Sequence, residues 1–342
     1  MTIHPILAED IANSIPSNDE IDWLSKAHVL VVGAGGFIAS SLILTLSYLK
    51  CNHYPGLRIS ILIRRPLSSY PRLSLIEPQI FESILISPSP DSIDLIPSTL
   101  THIYYAASPS TSSSQRKSPT SIVDANVSLL INLLRFLPAN AKVIFFSSGE
   151  ANRLSDRNLT PLNPHSLNSI YSLSKIYAES ILTAYYNDFH VIPIFARISH
   201  TYGPLVDIDD GHCYSDFFKS ALLNVPINLK SDGTGIRPFC YISDTVKALL
   251  LLAGSGTPLT AYNIANHRNT VTIRSFATIV DSIASELFHI PRTLQHSENT
   301  NEVDCLVDIT SMLRLGWKPI IDLSEGVRRS LSYLSSNEHN RV

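Results

Sequence analysis

Residues 28–39 constrain the fold of this chain of 342 residues more than any other stretch. The run HVLVV at 28–32 is typical of a buried strand, and a glycine-rich turn follows it directly. From about Phe37 to Leu49 we predict a helix with apolar residues on most faces, which indicates burial. A second strand, RISILI, follows at 58–63. This order of strand, turn, helix and strand predicts a doubly wound parallel sheet.

Three further strand-like runs continue the pattern: HIYYAA at 102–107, KVIFFSS at 142–148 and FHVIPIFAR at 189–197. Continuous apolar strands are typical of a parallel sheet that is covered on both faces. After Arg197 the elements become shorter, which predicts a smaller C-terminal lobe. The predicted fold class is therefore α/β, a Rossmann-type doubly wound parallel sheet with a second lobe.

Composition excludes several classes of protein. Apolar residues make up 44% of the chain and charged residues 16%, which excludes wholesale disorder. Nucleic-acid-binding proteins usually show a basic stripe, which a formal net charge of -3 gives no reason to expect. We therefore expect no nucleic-acid partner. The four cysteines lie far apart with no CxxC pair, which predicts free thiols in a reducing cytosol and no metal site. The N-terminal stretch MTIHPILAEDIANSIPSNDEIDW lacks a long apolar run, so we expect a cytoplasmic protein with no signal peptide and no membrane span.

The turn GAGGFIA at 33–39 has the properties of a dinucleotide-binding turn. Glycine at 33 allows a sharp change from strand to helix, and glycine at 36 allows the backbone to approach a diphosphate. The start of the following helix offers free N–H groups and the positive end of a dipole to the phosphates. The candidate cofactor-binding residues of this turn are Gly33, Gly35, Gly36, Phe37 and Ile38.

The second strand ends in Arg64 and Arg65, where dinucleotide-binding proteins usually carry an acid that binds the ribose. Two arginines can pair with a 2′-phosphate, which favours NADP, but arginines at a strand end are also ordinary surface residues. The cofactor predicted from the residues is therefore NAD or NADP.

A Tyr-x-x-x-Lys motif at Tyr171 and Lys175 is the candidate catalytic pair. On a helix these two positions share a face. A nearby ammonium and an oxidised nicotinamide would lower the tyrosine pKa from its usual value of about 10, which would make Tyr171 a general base. Ser148, at the end of the strand 142–148, can hydrogen bond the reacting oxygen of a substrate.

The chain resembles the extended short-chain dehydrogenases/reductases, and in particular their nucleotide-sugar epimerases, dehydratases and decarboxylases. The resemblance runs from about residue 26 to 335 and keeps the family order. Its landmarks are GAGGFIA, YYAAS at 104–108, Asn126, FFSSGE at 145–150, Tyr171 with Lys175, RISHTYGP at 197–204, DDGHCYSDFF at 209–218, SDGTGIRPFCYISD at 231–244, YNIAN at 262–266 and LGWKP at 315–319.

The resemblance implies roles for residues that the motifs alone do not assign. Ser148, Tyr171 and Lys175 would form the catalytic set, in which the tyrosine deprotonates the sugar 4-hydroxyl while hydride leaves C4 for the nicotinamide. Ala106 and Ala107 would line the cofactor. The implied substrate-binding residues are Ser108, Ser148, Glu150, His200, His212, Arg237 and Tyr241, with Arg237 and Tyr241 near the sugar-nucleotide diphosphate and the junction of the lobes.

The same resemblance implies a domain layout and an assembly. An N-terminal extension would occupy 1–26 and an NAD(P)-binding domain 27–196, to which 236–262 returns. A substrate-binding lobe would comprise 197–235 and 263–335, and 336–342 would form a tail. By analogy with these families we expect a homodimer.

Residues 148–150 discriminate between activities of these families. At the matching positions the hexose dehydratases carry a segment like Thr-Asp-Glu, in which the aspartate protonates the leaving hydroxyl. This chain has Ser148, Gly149 and Glu150, so that acid is missing. The UDP-glucuronate decarboxylases carry a segment like Thr-Ser-Glu, which keeps the glutamate and lacks the aspartate. Glu150 is therefore a candidate catalytic residue that positions the sugar or assists protonation at C5, and its alternative is a solvated loop carboxylate.

Two histidines differ from the family pattern. His200 stands where the family has Asn, and His212 where it has Arg; His200 would be a proton shuttle or a structural residue.

The leading prediction is an enzyme acting on a UDP-linked sugar, either decarboxylase-like or a 4-epimerase. An NADPH-dependent 4-keto sugar-nucleotide reductase and a catalytically silent NAD(P)-binding relative remain alternatives.

Overall fold

The structure, a computed structural model, describes residues 3–86, 96–109, 118–154, 162–288, 294–296 and 304–338. Its strands are β1 (His28–Val32), β2 (Arg58–Ile63), β3 (Phe81–Ile86), β4 (His102–Tyr105), β5 (Lys142–Ser148), β6 (Ile192–Ile198), β7 (His200–Tyr202), β8 (Ile227–Leu229), β9 (Ile236–Tyr241), β10 (Ala261–Ile264), β11 (Thr270–Thr272) and β12 (Leu294–His296). A parallel sheet of seven strands forms the centre of the protein, in the order β3-β2-β1-β4-β5-β6-β10.

Helices cover both faces of this sheet, which confirms the predicted doubly wound α/β fold. The α-helices are α1 (Pro5–Ser14), α2 (Asn18–Ile21), α3 (Phe37–Asn52), α4 (Pro119–Val123), α5 (Leu129–Leu134), α6 (Ile170–Phe189), α7 (Cys213–Leu222), α8 (Ile242–Ser255), α9 (Ile273–Phe288), α10 (Thr310–Arg314) and α11 (Leu323–Glu338). A π-helical turn, Asp124–Ser128, joins α4 to α5.

The first strand shows why this sheet is buried on both faces. Val29 and Val31 belong to one apolar core, while Leu30 and Val32 belong to the other, and all four are fully buried. Successive side chains of a strand point to opposite faces, so an unbroken apolar run suits a central strand with helices on both sides. Each such side chain contributes about 1.5–3 kcal/mol of hydrophobic stabilisation.

Two predicted strand boundaries were wrong. The fourth strand ends at Tyr105, two residues before the predicted end. The sixth begins at Ile192 instead of residue 189, because α6 continues to Phe189. His190 then adopts a left-handed conformation, with φ of 58°, that ends the helix.

The sheet order reverses at β1, because β2 lies on one side of it and β4 on the other. Ligands of open parallel sheets bind in the crevice beyond the carboxyl ends of the strands at such a reversal. The turn 33–39 follows β1 at this point, and residues 106–109 follow β4. The fold therefore places the predicted cofactor turn at the mouth of a crevice.

A second, three-stranded sheet has the order β11-β9-β7. Its middle strand β9 pairs with β7 and β11, whereas α8 packs on the central sheet and β10 pairs with β6. The predicted domain boundaries, including the return of 236–262 to the cofactor-binding domain, stay predictions.

Helix α1 packs on α8 and α3. The side chain of Asp10 on α1 is buried. Its carboxylate accepts a hydrogen bond from the Tyr241 hydroxyl at 2.8 Å and pairs with Arg329 of α11 at 3.2 Å. A distant strand and a distant helix therefore supply the partners of this buried acid.

Candidate active site

A cavity of about 500 Å³ lies beyond the carboxyl ends of the central strands. Its walls come from the glycine turn, the ends of β4, β5 and β6, the start of α6, and the segment that leads into α7. The lining residues are Gly36, Phe37, Ile38, Ala39, Ala106, Ser108, Phe146, Ser147, Ser148, Gly149, Glu150, Leu167, Asn168, Tyr171, Ser172, Lys175, Ile198, Ser199, His200, Thr201, Asp210, His212, Tyr214 and Cys305. Most of the predicted catalytic, cofactor and substrate residues therefore meet in one cavity.

The glycine turn has the shape that a dinucleotide diphosphate requires. Gly33 has φ of 77°, and a Cβ there would lie 2.8 Å from backbone atoms of Ala107, so only glycine fits. Gly36 caps the 16-residue helix α3, whose first residues Phe37 and Ile38 line the cavity. Free N–H groups at this helix start can receive phosphate oxygens. These residues fit a dinucleotide cofactor.

The strand-end arginines lie outside the cavity. Arg64 and Arg65 are exposed, and their main-chain N–H groups donate to the hydroxyl of Tyr70 at 3.1 and 3.2 Å. The Arg65 guanidinium lies over the Tyr70 ring, 5.1 Å from its centroid. Tyr70 also packs on Gly35, where an added Cβ would lie 2.0 Å from the ring. Sequence reasoning did not single out this tyrosine.

The three residues of the predicted catalytic set come from two adjacent elements. Ser148 ends β5, Tyr171 lies in the first turn of α6, and Lys175 follows one turn later. The Lys175 ammonium is buried and donates to the main-chain oxygen of Phe146 at 2.6 Å. Its Nζ lies 5.9 Å from the centroid of the Tyr171 ring. A serine, a phenol and an ammonium therefore face the same cavity.

The protein residues alone do not lower the tyrosine pKa, in contrast to our expectation for Lys175. Burial raises the pKa of Tyr171 to about 12, and the charge of Glu150 adds to the increase, while Ser148 opposes it. Burial also lowers the pKa of Lys175 to about 7, against the influence of Glu179. Because burial favours the uncharged amine of Lys175, this side chain is a weak source of positive charge for Tyr171. The sequence analysis invoked two positive charges, the Lys175 ammonium and the oxidised nicotinamide. Of these, the nicotinamide is left as the charge that favours the phenolate form of Tyr171.

A buried polar network lies behind the end of β5, the strand that carries Ser148. Ser147, whose neighbour is Ser148, donates to Glu179 at 2.6 Å. Arg197 of β6 binds the same carboxylate through Nη2 at 2.7 Å and through Nε at 3.1 Å. Its Nη1 donates to Asn152 at 2.8 Å. Glu179 lies four residues after Lys175 on the same helix. This spacing was the feature of the sequence that could have indicated Glu179 as a residue supporting the site.

Glu150 is held at the cavity wall, as its candidate role requires. Its carboxylate pairs with Arg153 at 3.1 Å and receives a longer contact of 3.4 Å from the Ser172 hydroxyl. Its main-chain N–H donates to the hydroxyl of Ser148 at 3.2 Å. These contacts give Glu150 a defined position beside Ser148.

Apart from Ser148 and Glu150, the predicted substrate residues divide into three groups. Ser108, His200 and His212 line the cavity. Arg237 lies close enough to His200 and Cys305 to influence the pKa of each. Tyr241 is different, since it is fully buried and its hydroxyl binds Asp10, so we withdraw it from the substrate residues.

His200 does not have the pKa of a proton shuttle. Burial lowers its pKa to about 3, and the charges of Arg237 and His212 act in the same direction. The imidazole is therefore neutral near pH 7, and it packs against the ring of Phe239 with the centroids 5.7 Å apart. His212 stacks on the ring of Tyr214, with centroids 5.1 Å apart.

Sequence reasoning missed several lining residues, among them Asp210, Tyr214 and Cys305. Asp210 accepts a hydrogen bond from the His212 N–H at 2.8 Å, and the motif Asp-Asp-Gly was a signal for it. Cys305 carried no sequence signal, because it reaches the cavity from a distant segment. Burial raises the pKa of its thiol.

Two kinds of feature are absent from the described part of the chain. Within these ranges, no group of three or more His, Cys, Asp or Glu side chains could hold a metal ion. No helix among the described residues is long and apolar enough to cross a bilayer.

Comparison with protein families matches residues 29–265 to the NAD dependent epimerase/dehydratase family. The chain belongs to this family. Membership confirms the predicted family and an NAD-dependent class of enzyme. The matched range begins at β1 and ends just after β10, so it contains the whole central sheet.

Individual relatives have a similar length and fold. UDP-glucuronic acid decarboxylase 5 from Arabidopsis thaliana is 27% identical over 322 residues, which cover 89% of this chain and 88% of the relative. The solved UDP-glucuronic acid 4-epimerase from Bacillus cereus in complex with UDP-glucuronic acid and NAD is 20% identical, with a TM-score of 0.72 over 91% of this chain and 99% of that one. An epimerase from Methanothermobacter thermautotrophicus is 18% identical, with a TM-score of 0.78 over 94% and 96%. The two structures share the fold of this chain.

Proposed function

We propose that this protein is an NAD-dependent enzyme that oxidises UDP-glucuronate at C4 and releases its C5 carboxyl group as CO₂. The observation that carries the proposal is the arrangement of Ser148, Gly149 and Glu150 beside Tyr171 in one cavity. The site has a candidate base for the 4-hydroxyl and a carboxylate nearby, with glycine at the position of the dehydratase acid. Relatives named as UDP-glucuronic acid decarboxylases support the choice of substrate.

The first chemical step is removal of the 4-hydroxyl proton by Tyr171. Ser148 hydrogen bonds the same oxygen, and Lys175 holds the end of β5 through the Phe146 carbonyl. The chemistry that bound NAD supplies is reversible acceptance of hydride from C4. General-base catalysis by a positioned side chain contributes about 10²–10⁴-fold to a rate.

The second step follows from the 4-keto sugar itself. A ketone at C4 makes the C5 carboxylate part of a β-keto acid, so the bond between C5 and the carboxyl carbon breaks and leaves CO₂ and an enolate. The enolate takes a proton at C5, for which Glu150 positions the sugar or assists the transfer. Tyr171 then returns the proton to the 4-oxygen, and bound NAD would give back to C4 the hydride that it had accepted, so no external oxidant is consumed.

We assign recognition of the substrate to the rim of the cavity. The Arg237 guanidinium, near His200 and Cys305, is a donor for the diphosphate or the sugar carboxylate. Ser108 can bind a sugar hydroxyl, because its buried Oγ has no hydrogen-bond partner among the described residues. His200 adds a neutral imidazole to the cavity wall, and His212 adds an imidazole that stacks on Tyr214.

A 4-epimerase is the second candidate, because it uses the same oxidation at C4. The large cavity favours it, since an epimerase must let the 4-keto sugar turn before hydride returns to the other face. The reductase alternative requires net consumption of NADPH, and Arg64 and Arg65 are the residues that would favour it.

We also propose a homodimer. Val123 of α4 and Tyr177 of α6 are large apolar side chains with 41% and 58% exposure, and their two helices pack against each other. An exposed apolar pair on adjacent helices favours a second copy as the partner. A monomeric mass in solution by light scattering would contradict this assembly.

The experiment that tests the function is mass analysis of the product after incubation with UDP-glucuronate and NAD⁺. Loss of CO₂ with a pentose product supports the decarboxylase. An isomer of unchanged mass supports the 4-epimerase, whereas turnover of 4-keto sugar nucleotides with NADPH alone supports the reductase. Absence of all three activities, with a Tyr171→Phe protein identical to the wild type, would identify a silent relative.

A further inference from the structure

The segment after β2 folds back over the glycine turn and brings the Arg72 guanidinium to within 3.5 Å of the main-chain oxygen of Gly35. Tyr70 anchors this segment, since its ring packs on Gly35 and its hydroxyl accepts the N–H groups of Arg64 and Arg65. Those two arginine side chains consequently stay at the surface. Arg72, two residues after Tyr70, is partly buried and reaches the turn.

Arg72 touches both halves of the candidate site. Its Nε donates to the main-chain oxygen of Leu205 at 2.6 Å, and its Nη1 lies 3.5 Å from the oxygen of Gly35. Leu205 begins the lobe segment, residues 205–214, which carries Asp210, His212 and Tyr214 to the cavity. A single guanidinium therefore spans the cofactor turn and the lobe segment.

The charge of Arg72 has no direct counterion among the described residues. Its two hydrogen-bond acceptors are neutral carbonyl groups, and no described carboxylate lies within 4.0 Å of it. Asp207 and Asp210 influence it only through space. A guanidinium has five N–H donors in a planar fork, so donors remain for an anion. Partial burial makes an unpaired charge costly, which favours a bound anion beside the turn.

We propose that Arg72 binds the diphosphate of the dinucleotide and couples cofactor binding to the lobe segment. The inference rests on the proposed function, because it takes NAD as the anion at the glycine turn. Phosphate oxygens would accept the donors of Arg72 that the carbonyl groups leave free. The bound dinucleotide would then fix the guanidinium, and with it the carbonyl of Leu205.

This coupling predicts that the dinucleotide and the sugar nucleotide bind cooperatively. Two ligands are coupled when one orders a segment that the other also needs, and the effect is reciprocal. NAD⁺ orders the lobe segment through Arg72, and UDP-glucuronate uses that segment as a cavity wall. We expect NAD⁺ to tighten the binding of UDP-glucuronate by about five-fold or more.

The test is calorimetric titration of the full-length protein with NAD⁺, and with UDP-glucuronate in the presence and absence of NAD⁺. Arg72→Gln should weaken NAD⁺ binding by at least about ten-fold, the range for a hydrogen bond to a charged group. It should also abolish the coupling. Arg72→Lys, which keeps a point charge but not the fork, should recover part of the NAD⁺ affinity without the coupling. Arg135→Gln, at an exposed position on the end of α5, is the matched control and should bind as the wild type does.

Unchanged NAD⁺ affinity in Arg72→Gln overturns the inference. So does an Arg64→Gln protein that loses as much affinity as Arg72→Gln, because the strand-end arginines would then hold the dinucleotide. If Arg72→Gln fails to fold, full cooperativity in Arg72→Lys overturns the coupling. Failure of the proposed function has a different signature: NAD⁺ binds and depends on Arg72, but UDP-glucuronate is neither bound nor turned over.

Discussion

Arg197 binds Glu179 through two of its nitrogens, at 2.7 and 3.1 Å, directly behind the end of β5. Both side chains are largely buried, and the Ser147 hydroxyl completes the carboxylate's contacts. The pair therefore fixes α6 against β6, and the Ser147 contact adds β5, which together with α6 carries the predicted catalytic set.

Loss of the Glu179 carboxylate should destabilise the protein strongly. Glu179→Ala leaves the Arg197 charge buried without its partner, which costs about 3–5 kcal/mol. Glu286→Ala removes an exposed pair with Arg328 and is the matched control, expected to cost less than about 1 kcal/mol. Urea denaturation measures both. Equal costs would mean that the buried pair has no special structural role.

Tyr171→Phe should abolish turnover without abolishing NAD⁺ binding. The substitution removes the proton acceptor, so kcat should fall by about 10²–10⁴-fold. Tyr186→Phe, on the same helix, is the control and should keep full activity. The measurements are the initial rate and the affinity for NAD⁺, and a Tyr171→Phe enzyme of normal rate would remove this tyrosine from the mechanism.

Asp10 should make stability depend on pH. Burial raises the pKa of Asp10 to about 6 in the folded protein, against about 3.9 in an unfolded chain. The folded state therefore binds the Asp10 proton more tightly than the unfolded state does. The stabilisation of the folded protein that results is complete below the unfolded pKa and is lost as pH rises through about 6. From pH 8 to pH 5, we expect the wild type to gain about 1 kcal/mol over Asp10→Asn. Denaturation at both pH values measures this difference, and parallel pH curves would contradict the shift.

The two glycines of the site should differ in their tolerance of alanine. Gly33→Ala combines a positive φ with a contact of 2.8 Å to the Ala107 backbone, so it should cost at least about 1 kcal/mol. A Cβ on Gly149 would meet only a methyl group of Val307 at 3.9 Å, so Gly149→Ala should stay within about 0.5 kcal/mol. Thermal unfolding of the two proteins provides the comparison. A tolerated Gly33→Ala would show that the turn can relax.

Sequence reasoning predicted those features that depend on neighbours along the chain. The runs at 28–32, 58–63 and 142–148 became strands with the predicted bounds, because local apolar patterns identify central strands. Ser148, Tyr171 and Lys175 came together because they lie at the ends of adjacent elements of a known order.

Features that depend on distant residues were not predictable. Arg72 meets Leu205 across 133 residues, and Tyr241 meets Asp10 across 231 residues. The pattern around Tyr241 gave no indication that α1 would cover it. The pKa of His200 was also missed, because burial by the surrounding elements sets it and the residue type alone suggested a value near neutrality.

The ion pair between Asp10 and Arg329 joins two residues that lie 319 positions apart in the sequence. A ribosome makes α1 before α11, so the acid of α1 meets its cation only after α11 has emerged. The contact between these two helices therefore forms late in folding, and a nascent chain that lacks α11 leaves Asp10 without this cation.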